Sequence, residues 1–124
     1  MIGYVTLGTN NYDEAARFYD DLFAVLGAAR IIESDRFIAW GTGMKSPAVS
    51  IAKPYDGNPA TVGNGVMVAL AMDSPDKVDA LHAKALELGG TDEGAPGPRG
   101  EQFYAAYFRD LDGNKLNAFC MTGG

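Results

Sequence analysis

The chain has 124 residues, enough for one ordinary domain with its own core and without a disulfide or metal staple. Hydrophobic residues make up 47% and charged residues 21%, the usage of a globular protein, and the net charge of -6 argues against nucleic acid or an anionic membrane as partner. The single cysteine, Cys120, cannot close an internal disulfide and fits a reducing compartment, and no export signal or membrane span is readable, so a cytoplasmic location is expected.

In chain order, Tyr4-Val5-Thr6-Leu7-Gly8 reads as a short strand. A helix follows: Asn11 stands at its cap with Glu14 three residues on, Ala15, Phe18, Tyr19, Leu22, Phe23 and Leu26 recur at helical spacing, and Gly27 is the stop. Arg30–Ile32, Phe37–Trp40 and Ala48–Lys53 are β-prone runs. Pro54–Asn64 is an irregular connection. Met67–Ala71 opens a second round as a strand, and Ser74 then caps a second helix with Pro75 at its first position. Val78, Leu81, Ala85, Leu86 and Leu88 form the apolar side of that helix, and Gly89-Gly90 ends it. A weak run near Thr91 leads into a Gly/Pro-rich loop over Asp92–Gly100. Phe103–Arg109 and Lys115–Met121 are strands joined by Asp110-Leu111-Asp112-Gly113-Asn114, whose Asp-Gly pair suits a tight hairpin.

The two rounds share one grammar. Laying Met67 on Tyr4 also lays Leu81 on Phe18, Ala85 on Leu22 and Gly90 on Gly27. The fold class read from this order is α+β, with two tandem β-α-β-β-β modules over about 1–57 and 64–124 in a single domain.

The opening strand, the helix segment Ala16-Arg17-Phe18-Tyr19, and the closing run Phe108-Arg109-Asp110-Leu111-Asp112-Gly113-Asn114-Lys115-Leu116 resemble the vicinal oxygen chelate superfamily, the group of glyoxalases, bleomycin-resistance proteins and extradiol dioxygenases. Leu111 stands where proline is common in that hairpin. The resemblance covers the whole chain and implies an open, barrel-like mixed sheet around a cavity, with a homodimer as the expected assembly. In metal-using members, histidines and glutamates at four homologous strand positions hold a divalent ion. The matching positions here are Tyr4, Ser50, Met67 and Asn117, none of them imidazole or carboxylate. The one histidine, His82, falls on the second helix as an ordinary residue at the edge of its apolar stripe. No family-type metal and no cofactor are therefore expected.

Strand side chains alternate faces, so an inward Tyr4 brings Thr6 with it, Met67 brings Ala69, and Asn117 brings Lys115 and Phe119. The resemblance places Tyr107 inward, alternation then adds Phe103 and Ala105, and Trp40 is taken as the counterpart in the first module. The expected ligand-binding lining is Tyr4, Thr6, Trp40, Ser50, Met67, Ala69, Tyr107, Asn117 and Phe119, a wall suited to a flat, partly apolar small molecule. Arg99 and Glu101 lie in a loop able to cover a pocket mouth. Cys120 falls on a helix-facing position, and Asp110 and Asp112 read as turn residues.

Three functions stay open at this point. One is metal-independent binding of a small, partly aromatic molecule, as drug-sequestering members of the superfamily do. Another is a glyoxalase-related lyase or isomerase with non-standard catalytic residues, for which Tyr4 and Tyr107 are the central titratable candidates; an unperturbed phenol, with a pKa near ~10, is a poor base at neutral pH. The third is a degenerate member kept for a protein–protein role.

Overall fold

A computed structural model describes residues 1–122; Gly123 and Gly124, at the expected end of the second module, lie outside the described residues. The first module is β1 (Tyr4–Gly8), α1 (Tyr12–Ala24), β2 (Ala29–Glu33), β3 (Phe37–Gly41) and β4 (Ala48–Ala52). The second repeats the order as β5 (Val68–Ala71), α2 (Pro75–Glu87), β6 (Thr91–Pro98), β7 (Phe103–Arg109) and β8 (Lys115–Met121). Each module makes an open four-stranded mixed sheet, ordered β1-β4-β3-β2 and β5-β8-β7-β6. In both, the first strand pairs in parallel with the last, Tyr4 opposite Ala48 and Ala69 opposite Asn117, because the intervening helix carries the chain back across the sheet.

The helices form where apolar spacing and local stops agree. Gly27 (φ 71°) and Gly89 (φ 101°) take the left-handed conformation just past α1 and α2, where a side chain would be strained. Ser74 caps α2 as expected, its Oγ accepting from the Lys77 N–H at 3.3 Å. Asn11 occupies the cap position of α1, but its side chain makes no cap bond: its Nδ2 donates to Glu14 Oε2 at 2.7 Å. The acidic first turn, Asp13 and Glu14, complements that end of the helix dipole instead.

Both helices cover one face of their own sheet. Phe18, Tyr19, Leu22 and Phe23 of α1 join Ile38, Trp40 and Ile51, while Val78, Leu81 and Ala85 of α2 join Ala106, Phe108, Leu116 and Ala118, all in one buried cluster. Each fully buried large side chain there contributes roughly 1.5–3 kcal/mol of transfer free energy. Among the described residues, no helix lies on the opposite faces, taken as the concave ones.

The modules meet through α1, α2 and the β7–β8 hairpin, not by sharing strands. Tyr19 Oη donates to Asp110 Oδ2 at 2.6 Å, Asn114 Nδ2 donates to the Gly8 carbonyl at 3.0 Å, and the Asn10 N–H donates to Asp112 Oδ1 at 2.9 Å. Asp110 also holds its own turn, accepting from the Asp112 and Asn114 N–H groups. The hairpin residues therefore serve as turn residues and as the lock between modules.

One element differs from the sequence reading. Most of the expected loop Asp92–Gly100 belongs to β6, which pairs with β7 through two irregularities, at Asp92/Gly94 and Gly94/Gly97. β6 is an edge strand with a partner on one side only, so Pro96 and Pro98 are tolerated and the bulges absorb the glycines. No helix among the described residues is long and apolar enough to cross a membrane.

Candidate functional site on the concave sheet faces

Register decides what each concave face presents. On the first sheet Thr6 lies opposite Ser50, Ser50 opposite Ala39, and Phe37 opposite Ala52, so Tyr4, Thr6, Phe37, Ala39 and Ser50 share the face away from α1. The Tyr4 ring meets Phe37 edge-on, with centroids 5.7 Å apart. Ser50 is fully buried; its hydroxyl donates to the Val5 carbonyl at 2.9 Å, which makes Thr6 Oγ1 the donor in the 2.9 Å contact between the two side chains. A cavity of about 570 Å³ opens at one end of this face, lined by Thr6, Phe37, Arg36 and Lys53 with Tyr55 and Ala60 of the connection.

Trp40 does not belong to this face, contrary to expectation. Its ring sits on the helix side between Tyr19 and Phe23, with centroids 5.6 and 6.0 Å away, and its Nε1 donates to Asp20 Oδ1 at 2.9 Å. Arg30 closes the group, making a double hydrogen bond to Asp20 and packing over the indole. The Arg30 guanidinium, with the indole N–H adding to it, holds the Asp20 carboxyl below its ordinary value despite partial burial. A one-residue shift in register reverses a strand's faces. Phe37, two positions before Ala39, is the aromatic that β3 presents instead; the alternation of large Ile38 and Trp40 with small Ala39 was the available signal.

On the second sheet Asn117 lies between Ala69 and Tyr107, and Phe119 lies opposite Ala105. Met67 precedes β5 and lines a cavity of about 440 Å³ with Val62, Asn64, Arg109 and Lys115. Phe103 stacks on Phe119 at 5.3 Å, extending the apolar floor. Asn117 is buried beneath these groups, its Nδ2 3.4 Å from the Ala118 carbonyl. Tyr107 is flanked by two cations, the Arg99 guanidinium and the Lys115 ammonium, at 5.7 and 5.6 Å from its ring centroid. Arg109 is bound by Glu93 and donates to the Gly113 carbonyl.

Eight of the nine expected lining residues thus lie on or beside the faces away from the helices, but on two of them: Tyr4, Thr6 and Ser50 on one sheet, and Ala69, Tyr107, Asn117 and Phe119 on the other, with Met67 just before its first strand. The two cavities are separate, each lined by one module and part of the connection. The donors at the four metal-ligand positions are a phenol, a hydroxyl already committed to a carbonyl, a thioether and an amide, a set that does not fit a divalent-metal centre. Among the described residues, no group of three or more His, Cys, Asp and Glu is placed to hold a metal ion. His82 is buried on the helix side, its Nε2 3.0 Å from Asp92 Oδ1.

Comparison with known proteins agrees with this architecture. Residues 1–118 match the family model of the Glyoxalase/Bleomycin resistance protein/Dioxygenase superfamily. A glyoxalase/bleomycin resistance protein from Albidiferax ferrireducens T118 is 36% identical, with a TM-score of 0.89 over 97% of this chain and 98% of that one. Two more distant structures share the fold. Lactoylglutathione lyase from Agrobacterium tumefaciens is 18% identical, with a TM-score of 0.70 over 97% of this chain and 92% of that one. The fosfomycin resistance protein FosX from Mesorhizobium loti is 19% identical, with a TM-score of 0.68 over 100% and 92%. A search of curated proteins finds no match. From its paired β-α-β-β-β modules, its Asp-Gly hairpin and a family match spanning residues 1–118, the chain belongs to the glyoxalase/bleomycin resistance protein/dioxygenase superfamily.

Proposed function

We propose that this protein binds a small, partly aromatic molecule on its concave sheet faces, without a metal ion. The observation that carries the reading is the donor set: Tyr4, Ser50, Met67 and Asn117 stand where the superfamily's metal users carry imidazole and carboxylate. Around them Phe37, Phe103, Tyr107 and Phe119 supply flat apolar surface, with a few hydroxyl and amide groups to orient a ligand. A lyase or isomerase needs a positioned base. Apart from Glu93, which pairs with Arg109, the strand positions on these faces carry no Asp, Glu or His, so binding is the better supported reading.

The proposal includes a second copy of the chain. Tyr4 and Ile32 on one concave face, and Met67 and Met121 on the other, are large apolar side chains left exposed. Laying the second sheet of one copy on the first sheet of another covers both and turns two open surfaces into a closed pocket. The working location is the cytoplasm, where Cys120, buried and free, remains a thiol.

The test is a thermal-shift screen of aromatic compounds with and without a chelator, followed by calorimetry. The expected result is a ligand that raises Tm equally in both conditions and loses its effect in Tyr107→Ala, with flat titrations of zinc, nickel and manganese. Tight one-to-one metal binding, or a ligand that requires metal, overturns the reading. Light scattering on the same sample should give twice the mass of the chain.

A further inference from the structure

We infer that the molecule bound on the second concave face is an organic anion, its negative group held beside Tyr107 by Arg99 and Lys115. This rests on the binding reading of that face and names the ligand's charge class. In a chain with 16 acidic and 10 basic residues, two cations converge on one aromatic ring of this face. Arg109 is neutralised by Glu93. Among the described residues, neither Arg99 nor Lys115 has a carboxylate within ion-pair distance. Both instead face one tyrosine ring, within 6 Å of its centroid.

Arg99 is also held in place. Its Nη2 donates to the Ala95 carbonyl at 2.7 Å and its Nη1 to the Pro98 carbonyl at 3.3 Å. Its guanidinium rests against two glycines of β6. A Cβ at Gly97 would come within 3.2 Å of Arg99 Nη1; one at Gly94 would come within 3.4 Å of Nη2 and 3.0 Å of Tyr107 Cδ1. Arg99 is exposed at this edge, with its guanidinium resting against the two glycines. The two carbonyls occupy only part of the guanidinium fork, and the remaining N–H donors are free for an incoming oxygen anion. The flat body of the ligand then lies along Tyr107 and the Phe103–Phe119 stack, which selects an aromatic carboxylate, sulfonate or phosphonate over a neutral aromatic.

The experiment compares two fluorescent probes of similar shape: 1-anilinonaphthalene-8-sulfonate, an anion, and N-phenyl-1-naphthylamine, which is neutral. The sulfonate should bind about tenfold more tightly, and Arg99→Gln and Lys115→Gln should each weaken it about tenfold while changing the neutral probe by no more than about twofold. Arg99→Lys should recover part of the loss, and rising salt should weaken only the sulfonate. Lys115→Gln carries the test should Arg99→Gln disturb β6, and circular dichroism monitors both. Equal binding of the two probes, or sulfonate binding unchanged in both Gln variants, overturns the inference; if Tyr107→Ala still weakens the neutral probe, the binding reading survives without it. If neither probe binds, the binding reading itself fails and takes this inference with it.

Discussion

Replacing Tyr19 by Phe removes one oxygen from the junction between the modules. Tyr19 Oη donates to Asp110 Oδ2 at 2.6 Å, and Asp110 is only 4% exposed. Burial, with the neighbouring Asp110 adding to it, holds the phenol well above its ordinary value, so it keeps its proton and donates at neutral pH. The Phe ring preserves the packing on Phe18, Phe23 and Trp40, so the change isolates the hydrogen bond. Asp110 would keep its bonds from Asn114 and the Asp112 N–H but lose a charge-assisted donor in a dry site, a loss of about 1.5–3 kcal/mol. At this chain length that corresponds to roughly 6–12 °C in Tm. The pH dependence is specific. Burial raises the Asp110 carboxyl above its ordinary value, and the Tyr19 and Asn114 hydrogen bonds pull it part of the way back. The folded protein therefore holds this proton more tightly than the unfolded chain, so the group's contribution is greatest below the ordinary carboxylate range and is lost as pH rises through its folded value. Without the Tyr19 hydroxyl the folded value rises further, so the penalty of Tyr19→Phe is full above both folded values and shrinks as pH falls through them, above the ordinary carboxylate range. Urea unfolding at several pH values measures this. A loss below about 0.5 kcal/mol, or one that stays constant from neutral to acid pH, refutes the account of the lock.

Trp40→Phe should lower stability by about 1–3 kcal/mol, through lost packing and the lost bond to Asp20, and leave affinity for any concave-face ligand unchanged. Acrylamide should quench this single tryptophan weakly with or without ligand, and a drop in affinity would return Trp40 to the site. Gly90→Ala should cost about 2 kcal/mol or more in urea unfolding, because the added Cβ falls 2.7 Å from the Arg109 carbonyl oxygen and 2.8 Å from that of Ala85, both backbone atoms that move only with their elements.

Much of the fold was legible because its signals are local. The helical spacing of Phe18, Leu22, Val78 and Leu81, the glycines after each helix and the Asp-Gly hairpin act over a few residues, and the structure places elements accordingly. β6 escaped because its evidence is not local: a Gly/Pro-rich run becomes a strand when β7 offers it a ladder and its other edge stays free. The sequence places Arg99 in a loop able to cover a pocket mouth, but its position against Gly94 and Gly97 depends on the irregular β6–β7 pairing that brings those glycines to it.

By itself, the sequence determined the duplicated modules and the chemistry at four strand positions, since repetition and residue type are properties of the chain alone. Tertiary structure decided which face each side chain serves. Trp40 turned to α1 because Asp20 and Arg30 await it there, while the expected lining divided between two sheets because the modules join through helices and a hairpin. Strand register and module packing are set by partners distant in sequence, and one residue of register is enough to move a ring from a binding surface into the core.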